Sequence, residues 1–424
     1  MNMRFTQLAE WLAWQEGLHP SAIDMGLERI RVVLQRLQVA PPRCPVITIA
    51  GTKGKGSCAA LLDSMLRAAG YQVGLFTSPH LRQYNERIRI NGVMVTDAEL
   101  CAAFERIDQA RGEISLTYFE FNTLAALLCF DAAALDVWIL EVGMGGRLDA
   151  VNVVDADVAI VTSIGLDHTE WLGSDLNSIA REKAGIFRAG RPALFGSSDM
   201  PEAIQQVAEQ VGAVLLRAGQ DFSYAQQSSQ WSWQMQQQRL EDLPLPALSG
   251  EVQLANASCV LAALYLLRDR LPIDRKAIEQ GLRQVQLLGR LQRIQHAGAE
   301  WILDVAHNAL SASVLAQHLA SLPRLRTLAV MGIMADKDID GMVQVLSSHI
   351  DAWLPVALPG TRALSVTALT EHLRSAKVNV LPACSTLPAA FAVAESCCAD
   401  EQYQRVLVFG SFLTVGPALD WLAL

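Results

Sequence analysis

The sequence lacks a net positive charge, a membrane-length apolar run and cysteines in metal-binding order. Its 424 residues carry a formal net charge of −9, which argues against broad binding to nucleic acids or anionic membranes, because both need a basic face. No apolar run approaches the ~18 residues of a transmembrane helix, and the first residues, MNMRFTQLAEWLAWQEG, lack the apolar core of a signal peptide. The eight cysteines include no C-x-x-C pair, so we interpret them as reduced thiols. These absences predict a cytoplasmic protein whose positive charge is concentrated in a site.

What is present is an alternation of short β-branched apolar runs with helical patterns, which is typical of a parallel sheet covered by helices. The length predicts two or three domains. The central strands of a first domain are predicted at VITIA (46–50), YQVGLFTS (71–78), DVWILEVG (136–143) and DVAIVTSIG (157–165). A second series is predicted at EWILDVAHN (300–308), RTLAVMGIM (326–334) and QRVLVFGSF (404–412). We therefore predict an α/β protein with a mostly parallel sheet in an N-terminal domain (1–287) and a Rossmann-like α/β sheet in a C-terminal domain (288–424).

Two segments between these series have patterns of their own. Residues 221–250 are rich in Gln and alternate apolar with polar side chains, which favours antiparallel strands at the edge of the first domain. The following run, NASCVLAALYLLRDRL (256–271), predicts a helix. No internal repeat is apparent.

The stretch VITIAGTKGKGSCAALL (46–62) resembles a phosphate-binding loop but departs from the common pattern. In that pattern a Ser or Thr follows the lysine directly, whereas here Gly56 follows Lys55 and the hydroxyl comes at Ser57. Backbone N–H groups at the start of a helix can hold phosphate oxygens. A tight turn between strand and helix is the alternative, so this stretch alone favours the phosphate interpretation only slightly.

Polar side chains follow each of the other three predicted strands of the first domain. They are Ser78, Glu141 and the pair Asp167–His168. Ligands of open α/β sheets bind beyond the carboxyl ends of the strands. We therefore expect these groups to lie together along the edge that those strand ends form, which we call the rim of the sheet. A lysine, hydroxyls, a carboxylate and an imidazole are suited to a polyphosphate and Mg²⁺. Taken singly, each group has a plain structural alternative. Glu141 could pair with Arg147, and His168 could be an ordinary structural histidine.

Lys183 lies in SIAREKAGIFR, a helical pattern with several charges. The local pattern predicts a solvated lysine, and nothing in it indicates a function.

These stretches together resemble the folylpolyglutamate synthases, and within them the bacterial bifunctional dihydrofolate synthase/folylpolyglutamate synthases of the Mur ligase superfamily. The resemblance extends over nearly the whole chain in family order and includes DMGLERI (24–30), AGTKGKGS, TSPHL (77–81), SLTYFEFNTLAAL (115–127), LEVGMGGRLDAVN (140–152), VTSIGLDHTEWLG (161–173), REKAGIFR (181–188), GRLQ (289–292), LDVAHN (303–308), DKDI (336–339) and GSF (410–412). In this superfamily a Gly stands between the loop lysine and its hydroxyl residue. The resemblance therefore implies that the N-terminal domain is a P-loop-type ATPase domain with a mostly parallel sheet.

The resemblance implies an ATP-dependent ligase that adds L-glutamate to dihydropteroate and further glutamates to reduced folates. The substrate carboxylate would take the γ-phosphate of ATP to form an acyl phosphate, which the amine of glutamate then attacks. Positioning and charge neutralisation would do most of the catalysis.

The resemblance also implies roles for residues. The catalytic positions are Lys55, Glu141, His168 and Lys183. The ATP-binding positions are Thr52, Lys53, Gly54, Lys55, Gly56, Ser57, Asn256, Arg290, Asp304 and His307. The metal positions are Ser57, Ser78, Glu141, His168 and Lys183. The pterin-binding positions are Asp24, Met25, Gly26, Thr117, Tyr118, Phe119, Glu120, Leu148, Asp149 and Ala150.

The cofactors implied are two Mg²⁺ ions and a carbamate on Lys183, with K⁺ as a further ion that the resemblance allows. The carbamate reverses the local interpretation of that lysine. The implied partners are small-molecule substrates, namely ATP, dihydropteroate, reduced folates and L-glutamate. The implied oligomeric state is a monomer. Departures from the family pattern are Lys53 in place of Asn, and Leu413 where relatives often have His.

Several alternatives stay open. A monofunctional folylpolyglutamate synthase is the nearest, although DMGLERI and LTYFE match the pterin site and favour two activities. A cell-wall Mur ligase acting on a peptidoglycan precursor is a weaker one. A nucleotide-dependent switch without ligase chemistry would not need Lys183 and His168. An NAD-dependent dehydrogenase would need G-x-G-x-x-G followed by an acidic residue.

Overall fold

The computed structural model describes residues 4–248, 250, 252–360 and 362–424. The chain divides into two compact units. The first contains the chain up to Ala247 together with Val252–Val285, and the second contains Leu248 and Gly250 together with Gln286–Leu424. The predicted domain boundary at residue 287 lies two residues further along the chain than this division.

The first unit is built on one sheet with the strand order β4-β3-β2-β5-β1-β6-β7-β8. Its strands are β1 Val46–Ala50, β2 Val73–Phe76, β3 Ile88–Ile90, β4 Val93–Met94, β5 Val137–Glu141, β6 Val158–Val161, β7 Pro192–Phe195 and β8 Val214–Arg217. The β2–β3 and β3–β4 pairs are antiparallel, and the other neighbours are parallel. Every residue of β1, β2, β5 and β6 is buried, as expected for apolar strands covered on both faces. The prediction of a mostly parallel sheet is confirmed.

Helices cover this sheet. They are α1 Leu8–Glu16, α2 Glu28–Leu37, α3 Lys55–Ala68, α4 Asp97–Arg111, α5 Tyr118–Ala132, α6 Thr169–Leu172, α7 Leu176–Ala184, α8 Glu202–Val211, α9 Val252–Leu266 and α10 Arg275–Gln284. Short 3₁₀ turns occupy Tyr84–Arg87 and Ala150–Val153. The helix predicted over 256–271 begins four residues earlier and ends at Leu266.

The Gln-rich segment forms a separate three-stranded antiparallel sheet, in the order β11-β10-β9. Its strands are β9 Phe222–Gln227, β10 Gln230–Met235 and β11 Gln238–Pro244. The alternation has a plain cause: Trp231, Trp233 and Met235 of β10 are buried, whereas Gln230 and Gln234 are exposed. The predicted antiparallel strands are therefore present, in a sheet of their own.

The second unit has a five-stranded sheet in the order β12-β13-β16-β14-β15. Its strands are β12 Gln292–His296, β13 Ala299–Asp304, β14 Thr327–Met331, β15 Ala352–Pro355 and β16 Arg405–Phe409. Its helices are α11 Ala309–Ser321, α12 Ile339–Leu346, α13 Val366–Ser375, α14 Leu387–Ala399 and α15 Phe412–Trp421, with a 3₁₀ turn at Ser347–His349. Strand β12 is antiparallel to β13, and the remaining pairs are parallel.

Among the residues that the structure describes, no helix has the length and apolar character needed to cross a membrane. All eight cysteines are free thiols.

Candidate active site

Four neighbouring strands bring the predicted polar side chains to one rim. The strands β2, β5, β1 and β6 are consecutive in the sheet and parallel to one another. The glycine-rich loop follows β1, Glu141 ends β5, Ser78 lies two residues after β2, and His168 follows β6. Because parallel strands share a carboxyl edge, residues that are far apart in the sequence are neighbours here.

The loop after β1 is held tightly against the end of β6. The Thr52 backbone N–H donates to the Ser163 carbonyl at 2.8 Å, and the Lys53 N–H donates to the Ser163 hydroxyl at 3.2 Å. Gly51 has φ +144°, and a Cβ on it would lie 1.9 Å from Oγ1 of Thr162, so no larger residue fits. The loop backbone is therefore fixed before any ligand arrives.

Gly54 ends the loop and caps helix α3. Its φ of +88° is left-handed, and a Cβ there would lie 2.4 Å from Oδ1 of Asn256. Asn256, on α9, is one of the predicted ATP-binding residues, and the structure places it against the loop. The helix begins at Lys55, so the N–H groups of its first turn face the rim as a site for an anion.

Two lysines meet at this loop. The Nζ atoms of Lys55 and Lys183 both donate to the Gly51 carbonyl, at 3.0 and 3.1 Å. Lys183 is 4 % exposed. Burial, together with the nearby charge of Lys55, lowers the pKa of Lys183 from 10.5 to about 7. The local prediction of a solvated lysine at position 183 was therefore wrong, because contacts with a loop 132 residues away bury it.

The next two groups at the rim are joined by a hydrogen bond. The Ser78 backbone N–H donates to Oε2 of Glu141 at 3.1 Å. Glu141 is buried, and Arg147, its alternative partner in the sequence analysis, pairs with Glu182 at 2.8 Å. A carboxylate is thus held at the end of the central strand β5 beside the Ser78 segment.

His168 is the most exposed of the predicted groups at the rim. Its side chain is 47 % exposed, its Nε2 lies 3.8 Å from Oδ2 of Asp167, and its backbone is left-handed, with φ +50°. The residue precedes α6, whose Trp171 and Leu172 N–H groups donate to the His168 carbonyl. The imidazole therefore sits at the entrance of the rim.

The donor set suits a hard cation that keeps part of its hydration. Within the described residues, no three side chains of the His, Cys, Asp and Glu types form a metal-holding cluster. Mg²⁺ commonly uses one or two protein ligands and completes its shell with water and substrate phosphates. One buried carboxylate, serine hydroxyls and an adjacent anion-binding loop fit that requirement.

Several of the predicted pterin positions lie in or against the loop that follows β5. The ring of Phe119 packs on Gly143, where a Cβ would lie 2.5 Å from its Cζ, and Met25 packs at Gly145. Asp149 accepts backbone N–H groups of Met144 and Val151 at 2.9 and 3.0 Å. Burial raises the pKa of Asp149 from 3.8 to about 6.

Other members of the pterin set are held by one arginine that the sequence analysis missed. Arg29 donates to Oδ2 of Asp24 at 2.6 Å and to Oε1 of Glu120 at 3.3 Å. Glu120 also accepts the Thr117 N–H at 2.8 Å and so closes a capping box at the start of α5. The arginine stands within the quoted run DMGLERI, and only the fold reveals its two carboxylate partners.

In the second unit, Asp304 ends β13 and receives two backbone N–H groups. Leu291 donates to Oδ2 and Ala306 to Oδ1, each at 2.8 Å. Burial raises the pKa of Asp304, and the charge of Arg290 opposes that rise. His307 follows, with Nδ1 2.8 Å from the Val305 carbonyl. The three predicted nucleotide positions of this unit thus lie at the carboxyl end of its sheet.

Comparisons with known protein families and sequences match this chain over most of its length. The family described as Mur ligase middle domain matches residues 49–264, and Mur ligase, glutamate ligase domain matches residues 289–412. The chain is 45 % identical to the dihydrofolate synthase/folylpolyglutamate synthase of Escherichia coli K12, over 97 % of this chain and 95 % of that protein.

Solved structures of similar proteins match the whole fold. An E. coli protein solved in complex with DHPP and ADP has a TM-score of 0.92 and 43 % identity, covering 100 % of this chain and 99 % of its own. A bifunctional folylpolyglutamate synthase/dihydrofolate synthase with Mn, AMPPNP and L-glutamate bound has a TM-score of 0.89 and 43 % identity, covering 100 % of both chains.

Proposed function

The chain belongs to the bifunctional dihydrofolate synthase/folylpolyglutamate synthases of the Mur ligase family, and from this premise we propose how its residues perform the reaction. It is an ATP-dependent ligase that adds L-glutamate to dihydropteroate and to folates, and it uses a divalent metal ion. Each step of that activity has a group of side chains suited to it at the rim of the first sheet.

ATP would bind with its phosphates on the loop between β1 and α3. The backbone N–H groups of the first helical turn receive phosphate oxygens, and Lys55 neutralises charge on the outer phosphates. The Lys55 ammonium lies 3.0 Å from the Gly51 carbonyl, so it is already at the loop. Attack of the substrate carboxylate on the γ-phosphorus then breaks the bond to ADP and gives an acyl phosphate. The amine of glutamate attacks that carbonyl, and phosphate leaves.

Magnesium would be held by Glu141 and His168, with the hydroxyls of Ser57 and Ser78, in two neighbouring sites at the rim. When bound, the metal supplies charge stabilisation to the phosphates. The Ser78 N–H donates to Oε2 of Glu141 and so fixes this buried carboxylate at the rim, where the metal would bind.

Lys183 would act as a carbamate. Only a neutral amine adds CO₂, forming N–COO⁻ and releasing a proton. At pH 7 an ordinary lysine is neutral in roughly one molecule in three thousand, whereas a lysine with a pKa of about 7 is neutral in about half. The new carboxylate would face Lys55 and support the metal, and burial of the lysine favours its formation.

Dihydropteroate would bind between Phe119 and the loop after β5. Phe119 offers a face for the flat pterin ring. Asp149, with both oxygens already fixed by backbone N–H groups, accepts hydrogen bonds from ring N–H groups. Arg29 positions the carboxylates of Asp24 and Glu120 in the same proposed binding site, which we call the pterin seat.

The remaining assignments rest on the family. Arg290, Asp304 and His307 of the second unit would contact the nucleotide, and K⁺ would be an additional ion. We also propose a monomer that acts on small molecules only and works in the cytoplasm, where its eight free thiols stay reduced.

The observation that carries these assignments is the convergence of Lys55, Lys183 and the Gly51 carbonyl at the end of β1. The test compares phosphate release with dihydropteroate and with tetrahydrofolate in Lys55→Ala and in a matched control, Lys276→Ala, which alters an exposed lysine on α10. Lys55→Ala should lose both activities and the control neither.

A second arm addresses the two activities. Phosphate release with tetrahydrofolate alone would overturn the dual assignment in favour of a monofunctional folylpolyglutamate synthase. Turnover without any pterin would place the chain among nucleotide-dependent switches.

A further inference from the structure

A cavity lies at the opposite edge of the first unit's sheet, away from the proposed active site. It has a volume of about 510 Å³ and is lined by residues of the α2–β1 connection and by residues before or at the amino ends of β1, β5, β6 and β7. Val46 and Trp138 belong to β1 and β5, and Asp157 and Arg191 precede β6 and β7. Cavities of this volume bind small molecules.

One wall of the cavity is apolar. Leu34, Val39, Leu127 and Trp138 line it. Cys44 lines it too, and burial raises the pKa of this thiol to about 11, so the thiol is neutral at physiological pH. Leu34 and Val39 keep part of their surface exposed, so a flat apolar group would gain free energy by covering them.

Two guanidinium groups also line the cavity, and both pair with one carboxylate. Nη1 of Arg191 and Nη1 of Arg270 lie 2.5 and 2.8 Å from the same Oδ1 of Asp157, whose Oδ2 accepts the Val46 N–H at 2.9 Å. The remaining lining carboxylate, Asp155, is paired with Arg188. Together, Arg191, Arg270 and Asp157 carry one net positive charge.

Within the described ranges of the chain, most N–H donors of these two guanidiniums have no protein acceptor. Within the part of the chain that the structure describes, Asp157 is the hydrogen-bond partner of both side chains, and each uses only its Nη1. Their side chains are 53 % and 46 % exposed. Each guanidinium has five N–H donors in a plane, an arrangement that matches a carboxylate.

We propose that this cavity is a second binding site, for a small monocarboxylic acid with a flat apolar body. The single excess charge favours a monoanion over phosphate, and the apolar wall favours an aromatic or alicyclic body over a bare anion. The proposal is independent of the assigned catalytic roles, because the cavity lies at the amino ends of strands whose carboxyl ends form the active site.

The cavity also contacts two helices that reach the predicted pterin seat. Leu34 lies on α2, which carries Arg29, and Leu127 lies on α5, which begins beside Phe119. A ligand here would therefore touch both helices that hold that seat.

The test uses 2-naphthoate as the probe, titrated by calorimetry into the full chain with dihydropteroate at saturation. It should bind with a stoichiometry of one. The neutral analogue 2-naphthalenemethanol should bind at least about tenfold more weakly than 2-naphthoate. Inorganic phosphate should not compete with 2-naphthoate for the site. Equal binding of the alcohol, displacement by phosphate, or loss of the site in the presence of dihydropteroate would each overturn the proposal.

Variants locate the site. Arg270→Gln should weaken 2-naphthoate binding about tenfold or more, and Arg191→Gln should do the same. The matched control is Arg283→Gln, which removes an arginine of similar exposure from α10. All three should keep dihydrofolate synthase activity, which shows that they fold. Unchanged binding in both active cavity variants would refute the assignment.

Discussion

Replacing Lys183 by methionine should make the first unit more stable while it abolishes activity. Methionine has a similar length and no charge, so it fills the buried position without needing a partner. The Gly51 carbonyl would still accept the Lys55 ammonium at 3.0 Å, so the substitution leaves it paired. Stability and activity should therefore move in opposite directions.

The size of the stability gain follows from the pKa. In the unfolded chain the lysine has a pKa near 10.5, and burial lowers it to about 7 in the folded chain. A change of that size corresponds to about 5 kcal/mol, at about 1.4 kcal/mol for each tenfold change in affinity for the proton. For a unit of this size, that is on the order of 10 °C in the unfolding midpoint.

The pH dependence has a definite sign. Below pH 7 both folded and unfolded chains hold the proton, and the full cost of the buried charge applies. Between pH 7 and 10.5 the unfolded chain binds the proton and the folded one does not, so the stability of the unsubstituted protein rises with pH. The advantage of Lys183→Met should therefore be largest at pH 7 or below and disappear as the pH approaches 10.5.

The assay is calorimetric unfolding in metal-free buffer depleted of CO₂, at several pH values, with Lys183→Arg as a control that keeps the charge. Bicarbonate should stabilise the unsubstituted protein and leave Lys183→Met unaffected, because only the lysine forms a carbamate. A midpoint that falls or stays constant in Lys183→Met at pH 7 would refute the argument. Full activity of that variant would refute the proposed catalytic role.

Three further predictions concern the rim and the pterin seat. His168→Ala should keep its unfolding midpoint and lose turnover, and a near-normal kcat would show that the metal assignment is wrong. Gly51→Ala should lower the midpoint and weaken ADP binding, because its Cβ would lie 1.9 Å from Oγ1 of Thr162; Gly190→Ala, also at positive φ but with open space around it, should cost only about 1 kcal/mol. Phe119→Ala should raise the KM for dihydropteroate and leave that for ATP unchanged; equal changes in both would contradict a pterin contact.

Sequence patterns were sufficient for the four central strands of the first unit's sheet, β1, β2, β5 and β6, whereas β3, β4, β7 and β8 were not predicted. A fully buried parallel strand needs a largely apolar run, and VITIA and VWIL are such runs in the sequence and are buried along their whole length in the structure. The same holds for β10, where the alternation of Trp231 and Trp233 with polar residues matches burial on one face. Local periodicity reports burial well when the burying surface lies beside the strand.

Sequence patterns failed where burial comes from a distant segment. Lys183 lies on a helix with Arg181 and Glu182, a pattern that indicates solvent, yet the loop after β1 covers it. The sequence analysis assigned no role to Arg29, because its link between Asp24 and Glu120 depends on a pairing across 91 positions. Contacts of this kind have no period, so a single sequence contains no signal of them.

The glycines after β5 show why these distant groups meet. A Cβ on Gly143 would lie 2.5 Å from Cζ of Phe119. A Cβ on Gly145 would lie 3.0 Å from Leu172, the last residue of α6, and His168 directly precedes that helix. At Gly146 a Cβ would lie 2.8 Å from the carbonyl oxygen and 3.1 Å from the Cα of Lys183. One short loop, which begins just after Glu141, therefore touches the elements that carry the proposed pterin, metal and carbamate positions. Because each approach needs the absence of a side chain, the spacing of these glycines is a geometric requirement of the site.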